Sequence, residues 1–398
     1  MKTTLKDGIC LIALEGRIDS TNAPETEREM EAVLNANPGT EIAFDAAELA
    51  YLSSAGLRIL MRVRKKLGRS LTVKNVSPEV YEIFETTGFT ELLDVQKRLR
   101  KVSVEGCAVI GQGGNGTVYR IDADTIIKVY NPGASLEKIA LEKKYARAAF
   151  ASGIPTAISF DTVEVGECYG IVFELLNAKT VGAAISEQPE KLPEYSEKMG
   201  KLFRLLHNTH MAPGVLPTMK DKASGWIDYM EANYLQPEDA ALLRRVLCAV
   251  PERDTVIHSD FHEGNVMVQN GELMLIDLDD VCTGHPIFDL ALNYMSHVVA
   301  AQSMPAVIEK SLQMSPENAL KARQEMLKSY FGTDDAAVLT QYEQLMGMFT
   351  AFLMILVPAK SKDSSNLPPQ MVQMLLDASL PPFRQVAPMI PAVLSKLF

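Results

Sequence analysis

Apolar and polar positions alternate along MKTTLKDGICLIALEG and through ICLIALEGRI, the two-residue period of a half-buried strand. The period then lengthens to that of a helix across PETEREMEAVLN. The exchange repeats twice. EIAFDAAEL reads as a strand and SSAGLRILMRVRKKLG as an amphipathic helix stopped by Gly68; SLTVKNV reads as a strand and SPEVYEIFETTG as a helix. Short strands alternating with helices over about 100 residues predict a compact α/β layer with helices mostly on one side.

Beyond the basic segment QKRLRKVSVEG the pattern changes. CAVIGQGGNGTVYRIDADTIIKVY predicts three successive strands with a glycine cluster at the first bend, and SLEKIALEKKYARAAFASGIP predicts a helix. Further on, QNGE carries Asn270-Gly271, a type I′ hairpin signal between two short apolar runs. Helical patterning fills Leu192 to Val250 and Asp289 to Phe398. The most apolar stretch, Leu345 to Ala359, is closed by Pro358 and falls short of the roughly 20 residues that span a bilayer, so a buried helix is expected.

Composition narrows the setting. A chain of 398 residues suggests two or three cooperating units. A net charge of −11 argues against a nucleic-acid or membrane-surface partner. Cys10, Cys107, Cys168, Cys248 and Cys282 are scattered, without zinc or redox spacing, and read as reduced thiols of a cytoplasmic protein. Asp7 and Glu15 interrupt the opening segment, which does not read as a signal peptide.

The chemistry gathers in three places. Gly111, Gly113 and Gly116 form a GxGxxG, but a strand rather than a helix follows it, so the glycines belong to a hairpin over phosphates and not to a dinucleotide turn. Lys128 lies inside an apolar strand; it is either an edge lysine facing water or a cation with an anionic partner, for which Glu142 and Glu137 compete. If Gln269 pairs with Glu272, Asn265 comes to lie opposite Ile276 and next to Asp277, with Asp260 five residues upstream. Asn265 and Asp277 offer the oxygen ligands that Mg²⁺ prefers, leaving Asp260 to accept the proton of an attacking hydroxyl. The spacing of His258, His262 and His285 matches no standard zinc motif. At Ser53 and Ser54, a helix N-cap competes with a phosphate placed at the positive helix end.

On FDAAELAYLSSAGLRILMRV, residues 1–102 resemble a STAS domain, the module of anti-sigma-factor antagonists. That resemblance implies Ser54 as a phosphorylation position and a regulatory protein as partner, although Ser53 stands where those antagonists usually carry aspartate. HSDFHEGN, LIDLDD and IFDLAL, with the glycine loop, Lys128 and Glu142 in order, resemble the kinase-like phosphotransferases of the aminoglycoside phosphotransferase and choline kinase branch. The fold class expected is thus an α/β STAS-like domain followed by an α+β bilobal protein-kinase-like domain. Its N-lobe would span 103–176 and its large helical C-lobe 177–398.

The resemblance implies ATP and Mg²⁺ as cofactors, Asp260 as catalytic residue, Asn265 and Asp277 on metal, and Lys128 on phosphates with Glu142 orienting it. In IVFELLNAKTV, Glu174 to Leu176 would meet adenine. Asp289 and His258 are expected to brace the catalytic loop, and Asp279 and Asp280 to be a solvated pair unless one of them supports the metal. Ser259 and His262 replace the arginine and lysine usual in protein kinases, and only LDDVCTGHPIF separates Asp277 from Asp289. A small hydroxylated acceptor is therefore expected: an aminoglycoside, an amino-alcohol or a sugar-like molecule. Two readings stay open beside it, a serine kinase acting on Ser54 or on a partner's STAS domain, and a non-catalytic nucleotide-binding regulator.

Overall fold

The computed structural model describes every residue except Asp7, Asn177, 362–366 and Phe398. The chain divides into two compact units, Met1–Val102 and Ser103–Phe398.

In the first unit the alternating opening segment is two strands, β1 (Thr3–Lys6) and β2 (Ile9–Ile18), paired antiparallel with Thr3 opposite Ile12. Gly8, at φ 81, takes a conformation that L side chains disfavour, so the alternation cannot continue as one strand. Strands β3 (Glu41–Leu52), β4 (Thr72–Val76) and β5 (Asp94–Lys97) add in parallel, giving the order β1-β2-β3-β4-β5. Helices α1 (Ala23–Ala36), α2 (Ser54–Leu67) and α3 (Pro78–Thr86) connect them. Ile12, Phe44 and Val73 of the sheet and Leu57, Leu60 and Phe84 of the helices belong to one buried core. Ser53 is the N-cap of α2, its Oγ accepting from the Ala55 amide at 3.2 Å, and Ser54 follows as an exposed first helical residue.

In the second unit, β6 (Ala108–Gly113), β7 (Gly116–Arg120), β8 (Thr125–Tyr130), β9 (Ser159–Val165) and β10 (Cys168–Glu174) are arranged β9-β10-β8-β7-β6. Helix α4 (Leu136–Ala151) is capped by Ser135 and turns Ile139, Glu142, Ala146 and Ala149 inward. Beyond it the chain is mainly helical, with α5 (Val181–Glu187), α6 (Leu192–Asn208), α7 (Met219–Asn233) and α8 (Pro237–Ala249). A hairpin of β11 (Val266–Gln269) and β12 (Glu272–Leu275) follows, then α9 (Ile287–Tyr294), and later α10 (Pro316–Phe331) and α11 (Ala336–Lys360).

Helix α11 is longer than the apolar run that marked it. At 25 residues it is long and apolar enough to cross a membrane, but Phe349, Phe352, Leu353 and Leu356 lie in the core of this unit. Pro358 is buried inside its last turn, where it removes only one helical hydrogen bond, and the helix continues to Lys360.

Candidate active site

The hairpin β11–β12 pairs Gln269 with Glu272 and Val266 with Leu275, and Asn270 and Gly271 both take positive φ, as a type I′ turn requires. One step beyond the ladder, the Ile276 amide donates to the Asn265 carbonyl at 3.0 Å. This register places Asn265 at the open end of the hairpin beside Asp277. Asn265 Nδ2 donates to both the carbonyl and Oδ2 of Asp260, each at 3.0 Å. With its nitrogen so engaged, the carboxamide keeps its oxygen available to a cation.

The loop carrying Asp260 is fixed from below. Asp289, buried at the start of α9, accepts the amides of His258 and Ser259 at 2.7 and 2.6 Å. His207 of α6 contacts the same carboxylate at 3.2 Å, and its other ring nitrogen meets the Tyr330 hydroxyl at 2.7 Å. His258 Nε2 donates to the Ile276 carbonyl at 3.2 Å, tying the loop to the hairpin. Ser259 and Asp277 both have positive φ, 69 and 60, so the backbone is strained on either side of the hairpin. His262 Nδ1 accepts the Gly264 amide, which turns Nε2–H toward Asp260 Oδ2 at 3.6 Å.

Above this loop, Lys128 does not lie on an edge. Strand β8 is flanked by β7 and β10, with Lys128 opposite Val118 and Ile171. Its ammonium donates to Glu142 at 3.1 Å, Asp277 at 3.0 Å and both oxygens of Asp279 at 2.7 Å. Glu137 is exposed at the first turn of α4. Asp279 is therefore not part of a solvated pair: Lys128 draws it in, and Asn115 at the glycine hairpin donates to it at 3.0 Å. Asp280 is also engaged, by Lys222 and Lys360.

The three glycines differ. A Cβ at Gly116 would lie 2.1 Å from the Val129 carbonyl oxygen, one at Gly111 would make ordinary contact with Val118, and one at Gly113 would meet nothing. In the expected hinge, the Glu174 amide donates to the Ile158 carbonyl and the Leu175 amide to the Asp124 carbonyl, while buried Leu176 accepts from the Ala178 amide. Asn177 of that stretch lies outside the described residues.

Residues 106–311 match the model of the phosphotransferase enzyme family. The chain belongs to that family. Ahead of the phosphotransferase region, residues 1–102 match the STAS domain model. Over 100 residues, 24% of this phosphotransferase and 85% of the relative, the chain is 34% identical to the putative anti-sigma factor antagonist BtrV of Bordetella bronchiseptica. Among solved structures, a choline/ethanolamine kinase family protein from Mesorhizobium loti is 15% identical with TM-score 0.45, covering 73% of this chain and 92% of that one. ADP-bound aminoglycoside phosphotransferase APH(2″)-Ib is 14% identical with TM-score 0.47, covering 76% and 98%.

Charge in the phosphotransferase site is unevenly distributed. Burial pushes the Asp277 carboxyl above its usual range, and burial and neighbouring Glu142 push Asp279 up to about 6. Lys128 feels burial against its charge, but Asp277, Asp279 and Glu142 outweigh it and hold the ammonium above the usual lysine range. Burial would also raise Asp260; the hydrogen bond and charge of His262, with the charges of Lys360 and His258, hold it well below the carboxylate range. Sequence reading did not single out Lys222, Lys360, His207 or Asn115. A lysine on a helix carries no local sign of what faces it across the fold.

Proposed function

We propose that this protein transfers the γ-phosphate of ATP to a hydroxyl of a small molecule. The observation that carries the reading is Asn265, whose nitrogen holds Asp260 and whose oxygen is left for a metal beside Asp277. These donors suit Mg²⁺, a hard cation that takes oxygen ligands and completes its shell with water and substrate phosphates. When bound, the metal would neutralise the phosphate charge that develops during transfer.

Asp260 would take the proton of the acceptor hydroxyl as its oxygen bonds to the γ-phosphorus. The bond to the β,γ-bridging oxygen breaks and ADP leaves. Lys128, oriented by Glu142, would hold the phosphates under the hairpin of Gly111, Gly113 and Gly116, with adenine toward Glu174 and Leu176. Asp260→Ala should lower turnover at least about a hundredfold, the low end of general-base catalysis, while ATP still binds. Full turnover in that variant would remove Asp260 from its role.

The STAS-like unit would regulate this activity through a regulatory protein, in the cytoplasm. A second reading has support from Ser54, which is exposed while Ser53 makes the cap. In that reading the acceptor is Ser54 of this chain or of a partner, and label from γ-labelled ATP would appear on the protein in an Asp260-dependent way.

A further inference from the structure

Two lysines far apart in the sequence meet beside the loop that carries Asp260. Lys222 of α7 donates to the carbonyl and Oδ1 of Asp280, both at 3.1 Å. Lys360, at the end of α11, donates to the Ser259 carbonyl at 3.0 Å and lies 3.5 Å from Asp280 Oδ2. Ser259 immediately precedes Asp260, so the Lys360 ammonium stands one residue from the acid that faces the acceptor. The two helices come from the two stretches of helical patterning, Leu192 to Val250 and Asp289 to Phe398.

An ammonium group has three donors. Lys222 directs two at Asp280, and Lys360 is shared between Ser259 and Asp280; the lysine side chains remain 22% and 27% exposed. Asp280 and Asp260 together match the two ammonium groups in charge, so what marks this face is not an excess of positive charge but the donors that Lys222 and Lys360 keep. A cationic acceptor would have to approach both ammonium groups, whereas an anionic group could use their remaining donors.

Taking the phosphotransferase reading as its basis, we infer that the acceptor carries a compact anionic group, a carboxylate or a phosphate, which Lys222 and Lys360 hold while its hydroxyl lies on Asp260. In the transfer, the acceptor oxygen bonds to the γ-phosphorus of ATP, the bond to the β,γ-bridging oxygen breaks, and the hydroxyl proton passes to Asp260. The lysines form no covalent bond. They set which hydroxyl compounds are held long enough to react.

The test offers full-length protein γ-labelled ATP, Mg²⁺ and a bacterial small-molecule extract separated by ion exchange into anionic, neutral and cationic pools, with Asp260→Ala as control. Asp260-dependent label should enter the anionic pool. Lys222→Gln and Lys360→Gln should each raise the KM for the active fraction about tenfold, the weight of one charge-assisted hydrogen bond, and by more than they change kcat. Phosphatase treatment of the pool beforehand separates the sources: labelling lost means a phosphate, and labelling kept means a carboxylate.

Label entering the neutral or cationic pool instead overturns the inference. Transfer to no pool removes the small-molecule reading beneath it, and the lysine pair is then judged by binding of acetate and inorganic phosphate, measured by titration calorimetry. Binding that disappears in the Lys222→Gln, Lys360→Gln double variant supports an oxyanion site. No binding to the wild type, or equal binding to the variant, overturns it.

Discussion

A carboxamide can hold a carboxylate with its nitrogen and present an oxygen to a cation; Asn265 does the first, and under the proposed function its oxygen would do the second. Asp279 adds a pH dependence of its own. Its carboxyl is raised to about 6, so acidification through that value protonates it and removes negative charge from the metal side. Mg²⁺-dependent nucleotide binding should therefore weaken as pH falls from 7 toward 5, and titrations of Asp279→Asn should lose that step. Asp260, held low, should contribute no such step. The hairpin turn is what brings Asp260, Asn265 and Asp277 together in the sequence, whereas Lys128, and Glu142 rather than Glu137, were picked out through the resemblance to the kinase-like phosphotransferases. Asp279 was misread as solvated because its partner Lys128 comes from another element, and the ion pairs of half-exposed Asp280 with Lys222 and Lys360 were missed for the same reason.

At the scale of elements, Gly116 and Gly113 separate two demands on one hairpin. Alanine at Gly116 would drive its Cβ into the Val129 carbonyl of β8 and should cost about 1–3 kcal/mol, as other overpacked sites do. Alanine at Gly113 meets nothing and should leave stability unchanged, so denaturant unfolding of the two variants should diverge. The alternation of the first strands, the amphipathic α2 and the Asn-Gly turn were legible because each is a local pattern. Strand β5 was not, since three of the four residues of Asp94–Lys97 are polar and it extends the sheet only by pairing with β4. The length of α11 was hidden as well: the polar residues before Leu345 do not share its apolar composition, and the helix passes through Pro358.

For the whole molecule, each unit has a core of its own. Residues 1–102 expressed alone should unfold in one cooperative thermal transition, and Ser54→Glu should leave that transition in place, because Ser54 is exposed and makes no cap. Loss of the transition in the variant would show that a negative charge at Ser54 acts by unfolding the unit rather than by changing its surface. In the larger unit, one ammonium is shared among Glu142, Asp277 and Asp279, so the phosphate chamber holds more negative than positive charge. Under the proposed function, a bare triphosphate would be repelled there, and a triphosphate already wearing its cation would not. Activity would then follow the supply of the metal complex rather than the size of the nucleotide pool, and a cell starved of divalent ions would silence this enzyme while its ATP was still plentiful.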